Sequence, residues 1–340
     1  MMRPAMLVAL AAMAVSIVHG QSWQPQNSGT TASLRGIMAV SAQVAWGSGS
    51  KGTFLRTTDG GTTWRAATVP GAANLDFRAV YALDENTAVL LSSGEGAASR
   101  VYRTIDGGAS WNVVYTNGDP SGFFDAIGFW DEAHGILLGD PVKGRFTIMT
   151  TVDGGVSWHR EKGPAAGNKE SAFAASGSCL ATRGTREAWF STGGVGGARV
   201  FHTTDGGQTW SVAKTPLRND SANAGVFSLA FTSGSRGVAV GGDYKNEKDT
   251  TGNAAVTEDG GKTWSGPTGT PPAGFRSAVA YVAARKMYVA VGTSGSDVSV
   301  DGGKSWMPAG TAAYNALSFT AEGVGWAVGP GGAIAKFVER

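Results

Sequence analysis

One short pattern occurs six times along the 340-residue chain and constrains its fold more than any other feature. Each copy reads Ser or Thr, any residue, Asp-Gly-Gly, any residue, Ser or Thr, and Trp, as in "TTDGGTTW" from Thr57. The six tryptophans are 47, 47, 52, 54 and 42 residues apart, a period that indicates a repeat architecture. The aspartate and tryptophan of each copy are Asp59 and Trp64, Asp106 and Trp111, Asp153 and Trp158, Asp205 and Trp210, Asp259 and Trp264, and Asp301 and Trp306.

Each repeat predicts four short antiparallel strands. In the unit that begins at Phe124, "FDAIGF", "GILLG" and "RFTIMTT" alternate as strands, turns separate them, and the segment at Trp158 begins a fourth strand. No stretch has a convincing helical period with caps. Four-stranded repeats of this length are typical of β-propeller blades, so the sequence predicts an all-β propeller.

The number of blades follows from the first strand of each repeat. Seven such strands are predicted, starting near Leu34, Phe77, Phe124, Ala172, Phe227, Arg276 and Tyr314. The last unit stops after three strands, and "SWQPQNSG" precedes the first full unit. Pairing these two ends removes both open edges of the ring. We therefore expect residues 21–340 to form one seven-bladed propeller that the N-terminal strand closes.

The repeated motif is turn chemistry. Asp accepts backbone N–H groups within a turn, Gly adopts positive φ at little cost, and Trp supplies a large buried ring. The motif resembles the Asp-box (BNR) repeat of sialidases and sortilin-type receptors, and the resemblance implies that the six aspartates are structural and lie away from the ligand-binding face. The "QNSGTTASLRGI" start and the "GWAVG" strand further resemble photosystem II stability/assembly factor-like propellers. Bacterial relatives of that group are often labelled oxidoreductase.

The first 20 residues predict a cleaved signal peptide. Arg3 gives a positive start, Ala5 to Val18 is apolar, and Val18 and Gly20 occupy the −3 and −1 positions of a cleavage site before Gln21. The apolar run is shorter than a membrane span. We expect the mature protein to be exported, periplasmic or secreted, with no transmembrane segment.

Composition and motifs argue against several other classes. The 28 basic and 26 acidic residues are not clustered, which argues against nucleic acid as a partner. Cys179 is the only cysteine, and no histidine is spaced with a second ligand, so we expect no metal site. "GSGSKG" at residues 47–52 fits a dinucleotide fingerprint but precedes a strand rather than a helix, so we expect no cofactor. We also expect a monomer.

In a four-stranded antiparallel blade, the turn after the first strand and the turn after the third strand lie on the same face. The boxes are therefore expected on one face of the propeller, here called the bottom face, and a ligand on the opposite top face. Arg35 and Arg78 share a register, with Arg276 one residue off, and either bind an anion at the channel mouth or pair with Asp76 and Asp125. The remaining top-face residues would form a polar rim for a protein partner or fix their loops. The candidate binding residues are Arg35, Arg78, Asp125, Asp140, Lys143, Asp243, Tyr244, Lys245 and Arg276.

Two functions from different classes follow. The resemblance implies a non-catalytic scaffold that holds partner proteins during membrane-complex assembly. The alternative is a glycan-active hydrolase, sialidase-like or xyloglucanase-like, that uses acidic groups at the channel mouth, although no complete catalytic set of either kind is recognisable. An oxidoreductase is a distant third hypothesis, since only the label given to relatives supports it.

Overall fold

The computed structural model describes residues 21–232 and 234–339 of the chain. The predicted signal peptide, residues 1–20, lies outside the described residues. The described part contains 27 β-strands and three single-turn 3-10 helices. Strand β1 is Gln21–Gln26; blade 1 contains β2 (Leu34–Ala39), β3 (Ala45–Gly49), β4 (Thr53–Thr57) and β5 (Arg65–Thr68); blade 2 contains β6 (Phe77–Ala82), β7 (Ala88–Ser92), β8 (Arg100–Thr104) and β9 (Asn112–Thr116). Blade 3 contains β10 (Phe124–Phe129), β11 (Gly135–Val142), β12 (Arg145–Thr151) and β13 (His159–Glu161); blade 4 contains β14 (Leu180–Arg183), β15 (Glu187–Ser191), β16 (Arg199–Thr203) and β17 (Ser211–Lys214). Blade 5 contains β18 (Ala224–Phe231), β19 (Gly237–Asp243) and β20 (Ala254–Thr257); blade 6 contains β21 (Ala278–Val282), β22 (Met287–Gly292), β23 (Gly295–Ser299) and β24 (Met307–Gly310); blade 7 contains β25 (Ala316–Phe319), β26 (Gly325–Val328) and β27 (Ile334–Glu339).

The strands form seven antiparallel sheets, and the ring closes as predicted. The N-terminal strand β1 pairs with β27 along its whole length and completes the last sheet in the order β1-β27-β26-β25. Trp23 lies opposite Phe337 in this pairing, and its indole N–H donates to Ser296 of the neighbouring blade at 3.1 Å. The prediction of a seven-bladed all-β propeller closed by its N-terminal strand is confirmed.

The first strand of each blade lies at the centre of the ring. These inner strands, β2, β6, β10, β14, β18, β21 and β25, contact one another in cyclic order. Seven apolar clusters in the described part of the chain fill the seven interfaces between neighbouring blades. Each blade thus buries both of its faces against its neighbours, which is why the inner strands carry almost continuous apolar sequence rather than one apolar face.

Two blades differ from the predicted pattern. In blade 5 the fourth strand is reduced to a single bridge between Val256 and Ser265, because Pro267, two residues later, lacks the N–H that a longer ladder needs. In blade 4 the inner strand begins at Leu180 instead of near Ala172. The eight residues before Cys179 leave the sheet and cross the centre of the ring, as described below.

No helix in residues 21–232 or 234–339 combines the length and the apolar content that a membrane span requires.

Candidate functional site

The Asp boxes and the first turn of each blade lie on the same face. In blade 1 the amide of Gly60 donates to the carbonyl of Gln43 in the β2–β3 turn at 2.9 Å. Blades 2 to 5 repeat this bond from the first glycine of their own box. The bottom face therefore contains both sets of turns, and the β3–β4-type hairpins and the connections between blades form the top face.

Side-chain hydrogen bonds fix the turn of each box, as the third copy illustrates. The Thr151 hydroxyl donates to Asp153 at 2.7 Å and accepts the amide of Gly155 at 3.0 Å. The carboxylate of Asp153 also accepts the amide and the hydroxyl of Ser157. Burial opposes ionisation, but the hydrogen bonds from Ser157 and Thr151 lower the pKa of Asp153 to about 2. Both carboxylate oxygens of Asp153 are thus engaged within its own loop.

The second glycine of the box allows two blades to approach. A Cβ atom on Gly108 would lie 2.6 Å from the Phe54 ring of blade 1, and one on Gly303 would lie 2.5 Å from Val238 of blade 5. Both glycines also have positive φ. The Gly-Gly pair therefore allows both the tight turn and the close contact between blades. These two structural needs explain why the pair is repeated, and neither involves a substrate.

A β-bulge aims one side chain of several inner strands toward the centre of the top face. The register of β2 with β3 skips Arg35, and that of β6 with β7 skips Arg78. The same skip occurs at Asp125 in blade 3 and at Phe227 in blade 5. Bulges re-aim side chains and often lie beside functional sites. The shared register of Arg35 and Arg78 in the sequence thus corresponds to one structural position in adjacent blades.

A cavity of about 350 Å³ opens at this central position. Its cationic residues are Arg35 and Arg78, and Glu247 is the acidic residue of its lining. Its volume lies at the lower end of the range for small-ligand sites, and its mixture of apolar rings and few charges is typical of them. We call it the top cavity. The other lining residues are Phe173, Ala174, Ala175, Phe227, Tyr244, Phe275, Ser277, Thr293 and Asn315.

The two arginines of the top cavity differ in their partners. Arg78 Nε donates to Asp76 at 2.9 Å, and its Nη1 donates to the carbonyl of Ala174 at 3.4 Å. The Arg35 side chain has no hydrogen bond or salt bridge to any residue of the described ranges. Burial, and then the positive charge of Arg78, lower the pKa of Arg35, and Asp76 opposes this only in part. Arg35 is therefore a partly desolvated cation without a hydrogen-bonded counter-ion.

Aromatic rings form another wall of the top cavity. The rings of Phe173 and Phe227 stack at 3.9 Å between centroids, with planes 7° apart. Phe227 also contacts the edge of Phe275 at 4.7 Å and lies 6.1 Å from Tyr244. Phe227 and Phe275 are buried, whereas Tyr244 is 38% exposed and stands at the rim.

Residues 171–178, here called the central segment, run across the centre of the ring and line part of the top cavity. Ala174 accepts the bond from Arg78 of blade 2, and the Ser176 hydroxyl donates to the Ser277 carbonyl of blade 6 at 2.9 Å. Ser178 bonds Ser228 of blade 5 at 2.7 Å. Blades 2 and 6 lie across the ring from each other, so the segment spans the axis. The bonds to blades 2 and 6 join the segment to blades that are not its neighbours, and no local sequence pattern indicates them.

Asp125 and Asp140 form a coupled carboxyl pair beside the central segment. Burial, together with the charge of Asp140, raises the pKa of Asp125 well above its usual range, against an opposing effect of Arg78. Burial also raises the pKa of Asp140 to about 6, although this carboxylate accepts the Ala172 amide at 2.9 Å. Asp125 is only 1% exposed and does not line the top cavity.

The other predicted site residues are placed outside the cavity. Arg276 is buried and donates to Asp297 at 2.6 Å inside blade 6, so its charge is compensated there. Asp243 accepts the Lys245 amide and the Ser221 hydroxyl, which fastens its loop. Lys143 lies in the β11–β12 hairpin with φ of 53° and is exposed, and Lys245 is exposed beside Tyr244.

The structure therefore brings together three predicted site residues, Arg35, Arg78 and Tyr244. The lining also contains four residues that were not among the predicted site residues, Phe173, Phe227, Phe275 and Glu247. The phenylalanines precede or begin predicted inner strands and resemble core positions in sequence. Phe227 occupies the same bulge position in its inner strand as Arg35 and Arg78 do in theirs. An alignment of the inner strands on these two arginines would have identified it.

In residues 21–232 and 234–339, no group of three or more His, Cys, Asp or Glu side chains is arranged to hold a metal ion. "GSGSKG" spans the end of β3 and its turn into β4, as its interpretation as a hairpin requires. Cys179 is buried and forms no disulfide.

Comparison with known proteins supports the repeat and the fold. A family model described as BNR/Asp-box repeat matches residues 201–212, which contain the fourth box. No curated protein matches the chain by sequence. The solved structure "YCF48 bound to D1 peptide" is similar with a TM-score of 0.66 at 16% identity, over 96% of this chain and 100% of that chain. "YCF48 from Cyanidioschyzon merolae" has a TM-score of 0.65 at 16% identity, over 93% of this chain and 98% of that chain. "Crystal structure of RRP9 WD40 repeats" has a TM-score of 0.62 at 11% identity, over 94% of this chain and 100% of that chain. At these identities the similarity concerns the fold.

Proposed function

We propose that the chain is an exported, non-catalytic propeller that holds a segment of a partner protein in the top cavity. The observation that carries the proposal is the cavity itself, with Arg35 unpaired beside exposed Tyr244. An unpaired, partly buried cation costs stability, and such a residue is expected where a partner supplies the missing charge.

Three further points support a protein partner. The structurally similar propeller YCF48 was solved bound to a D1 peptide. The rim residues Tyr244 and Lys245 are exposed, and aromatic residues are enriched in protein interfaces. The resemblance of the sequence to assembly-factor propellers points to subunits of a membrane complex as the partner. Export rests on the signal-like residues 1–20.

Affinity capture with matched variants tests this function. Residues 21–340 would be immobilised and exposed to exported and membrane fractions of the source cells. We expect one protein to be retained by the unmodified chain and lost when Arg35→Gln and Tyr244→Ala are combined. Lys304→Gln is the matched control, because Lys304 is an exposed cation in the sixth Asp box on the bottom face. Equal retention by the cavity variant and the control would contradict the proposal.

One observation bears on the glycan-hydrolase alternative, namely the raised pKa of the Asp125–Asp140 pair. A carboxyl group with a pKa near 6 suits general acid catalysis. However, Asp125 is buried and neither Asp125 nor Asp140 belongs to the cavity lining, so a glycan in the top cavity does not reach the pair in this conformation. A screen of purified protein against glycans decides between the two functions. Turnover that Asp125→Asn abolishes would overturn the scaffold proposal.

A further inference from the structure

Arg35 is the residue of the top cavity whose chemistry most restricts the ligand. The carboxylate of Asp76 engages Arg78, and the two groups compensate each other. Arg35 then remains as a cavity-lining cation without a hydrogen-bonded counter-ion, and Glu247 is the acidic residue of the same lining. A guanidinium binds planar anions through two parallel hydrogen bonds, and carboxylates fit this geometry. Because Glu247 already places a negative charge in the same lining, a singly charged carboxylate suits the cavity better than a doubly charged phosphate.

The opposite wall restricts the neighbouring group of the ligand. Phe227 and Phe275 meet edge to face, and the Tyr244 ring stands at the rim beside them. Aromatic walls of this kind pack against a ring or another apolar side chain. The central segment already demonstrates this mode, because Phe173 stacks on Phe227 while the adjacent Ala174 carbonyl accepts a bond from Arg78.

We infer that the top cavity is a carboxylate-binding subsite in which Arg35, with Arg78 beside it, holds a carboxylate while Tyr244 and Phe275 contact an adjacent apolar side chain. The inference rests on the proposed function and specifies its ligand class as a protein segment with an apolar or aromatic residue next to a carboxylate. The carboxylate comes either from an acidic side chain or from a chain end, and both present the same anion to Arg35.

Three synthetic peptides separate the two sources. The first is Ac-Ala-Phe-Asp-Ala-NH2, which has only a side-chain carboxylate. The second is Ac-Ala-Phe-Asn-Ala with a free terminal carboxylate, and the third is Ac-Ala-Phe-Asn-Ala-NH2, which has none. Binding to residues 21–340 is measured by isothermal titration at low ionic strength. We expect at least one acidic peptide to bind about tenfold or more tightly than the neutral one, as an additional charge-assisted bond predicts.

Variants decide whether Arg35 is responsible. Arg35→Gln is expected to remove the preference for the acidic peptide, Arg35→Lys to retain part of it, and Lys304→Gln to leave it unchanged. Thermal melts confirm that each variant is folded. Equal binding of the three peptides, or an undiminished preference in Arg35→Gln, would overturn the inference.

The outcome is independent of the capture experiment. If a partner is retained through Tyr244 but no peptide distinguishes the carboxylate, the scaffold function stands and the ligand class is wrong. If acidic peptides bind through Arg35 but no protein is retained, the subsite stands and the scaffold function is wrong.

Discussion

Arg35 and Arg78 occupy the same bulge position in adjacent inner strands, yet only Arg78 has an ion-pair partner in the described part of the chain. Two equivalent side chains therefore have different roles. Arg78 ties the central segment to blade 2 through Ala174, whereas Arg35 contributes a charge that the fold does not use.

Arg35→Gln should stabilise the protein while it removes ligand binding. The variant relieves the desolvation of an unpaired cation, so we expect the free energy of unfolding to rise by about 0.5–1 kcal/mol. Arg78→Gln should instead lower it, because it breaks the Asp76 pair and the bond to Ala174. Urea unfolding at pH 7 measures both. A destabilised Arg35→Gln protein would show that the fold uses this charge.

Asp140→Asn should stabilise the protein at neutral pH and leave it unchanged near pH 4. The folded-state pKa of about 6 is above the unfolded value of about 3.9, so the folded state binds the proton more tightly. Ionised Asp140 therefore destabilises the folded state, and this destabilisation develops as pH rises from about 4 to about 6 and is fully present above pH 6. Asn keeps the acceptor for the Ala172 amide, and we expect a gain of about 1–2 kcal/mol at pH 8.

Thermal melts from pH 4 to pH 8 measure this effect. Asp153→Asn is a control of opposite sign, because the pKa of Asp153 is lowered to about 2 and its contribution is lost as pH falls. An Asp140→Asn variant that is destabilised equally at pH 4 and pH 8 would contradict the assignment of a raised pKa.

Asp153→Ala tests the structural role of the boxes. It removes the acceptor for Thr151 and Ser157, so we expect a loss of about 1–2 kcal/mol of stability at pH 7 with ligand binding intact. Val156→Ala in the same loop is the control, since the Val156 side chain is exposed. Loss of peptide or partner binding without loss of stability would give the box a functional role instead.

Export is tested by N-terminal sequencing of the protein recovered outside the cytoplasm of the source cells. The mature chain should start at or near Gln21, the residue after the signal-like segment. A cytoplasmic protein that retains Met1 would contradict export.

The blades were predictable because their determinants are local and repeated. The box fixes one turn in each of six units, and the strand alternation between boxes gives the count of seven blades. The partnership of β1 with β27 followed from an incomplete last unit, because a ring does not leave its edges open.

The cavity was only partly predictable because its determinants are long-range. "SAFAASGSCLATR" alternates like the start of an inner strand, but Ser176 and Ala174 bond to blades 6 and 2, and this draws the segment out of the sheet. Arg276 matched the arginine register within one residue, yet Asp297, 21 residues away, neutralises it inside its own blade. Such pairings depend on which strands become neighbours and leave no pattern in the sequence.

Site-specific photo-crosslinking tests the central claim that a partner protein occupies the top face. A photoreactive phenylalanine analogue replaces Lys245 beside Tyr244 in one variant, and Lys304 on the bottom face in a second. Both variants are irradiated in the source cells, and adducts are identified by mass spectrometry. The account predicts an adduct with one partner protein from position 245 and none from position 304. Adducts from position 304 alone, or none from position 245, would contradict it.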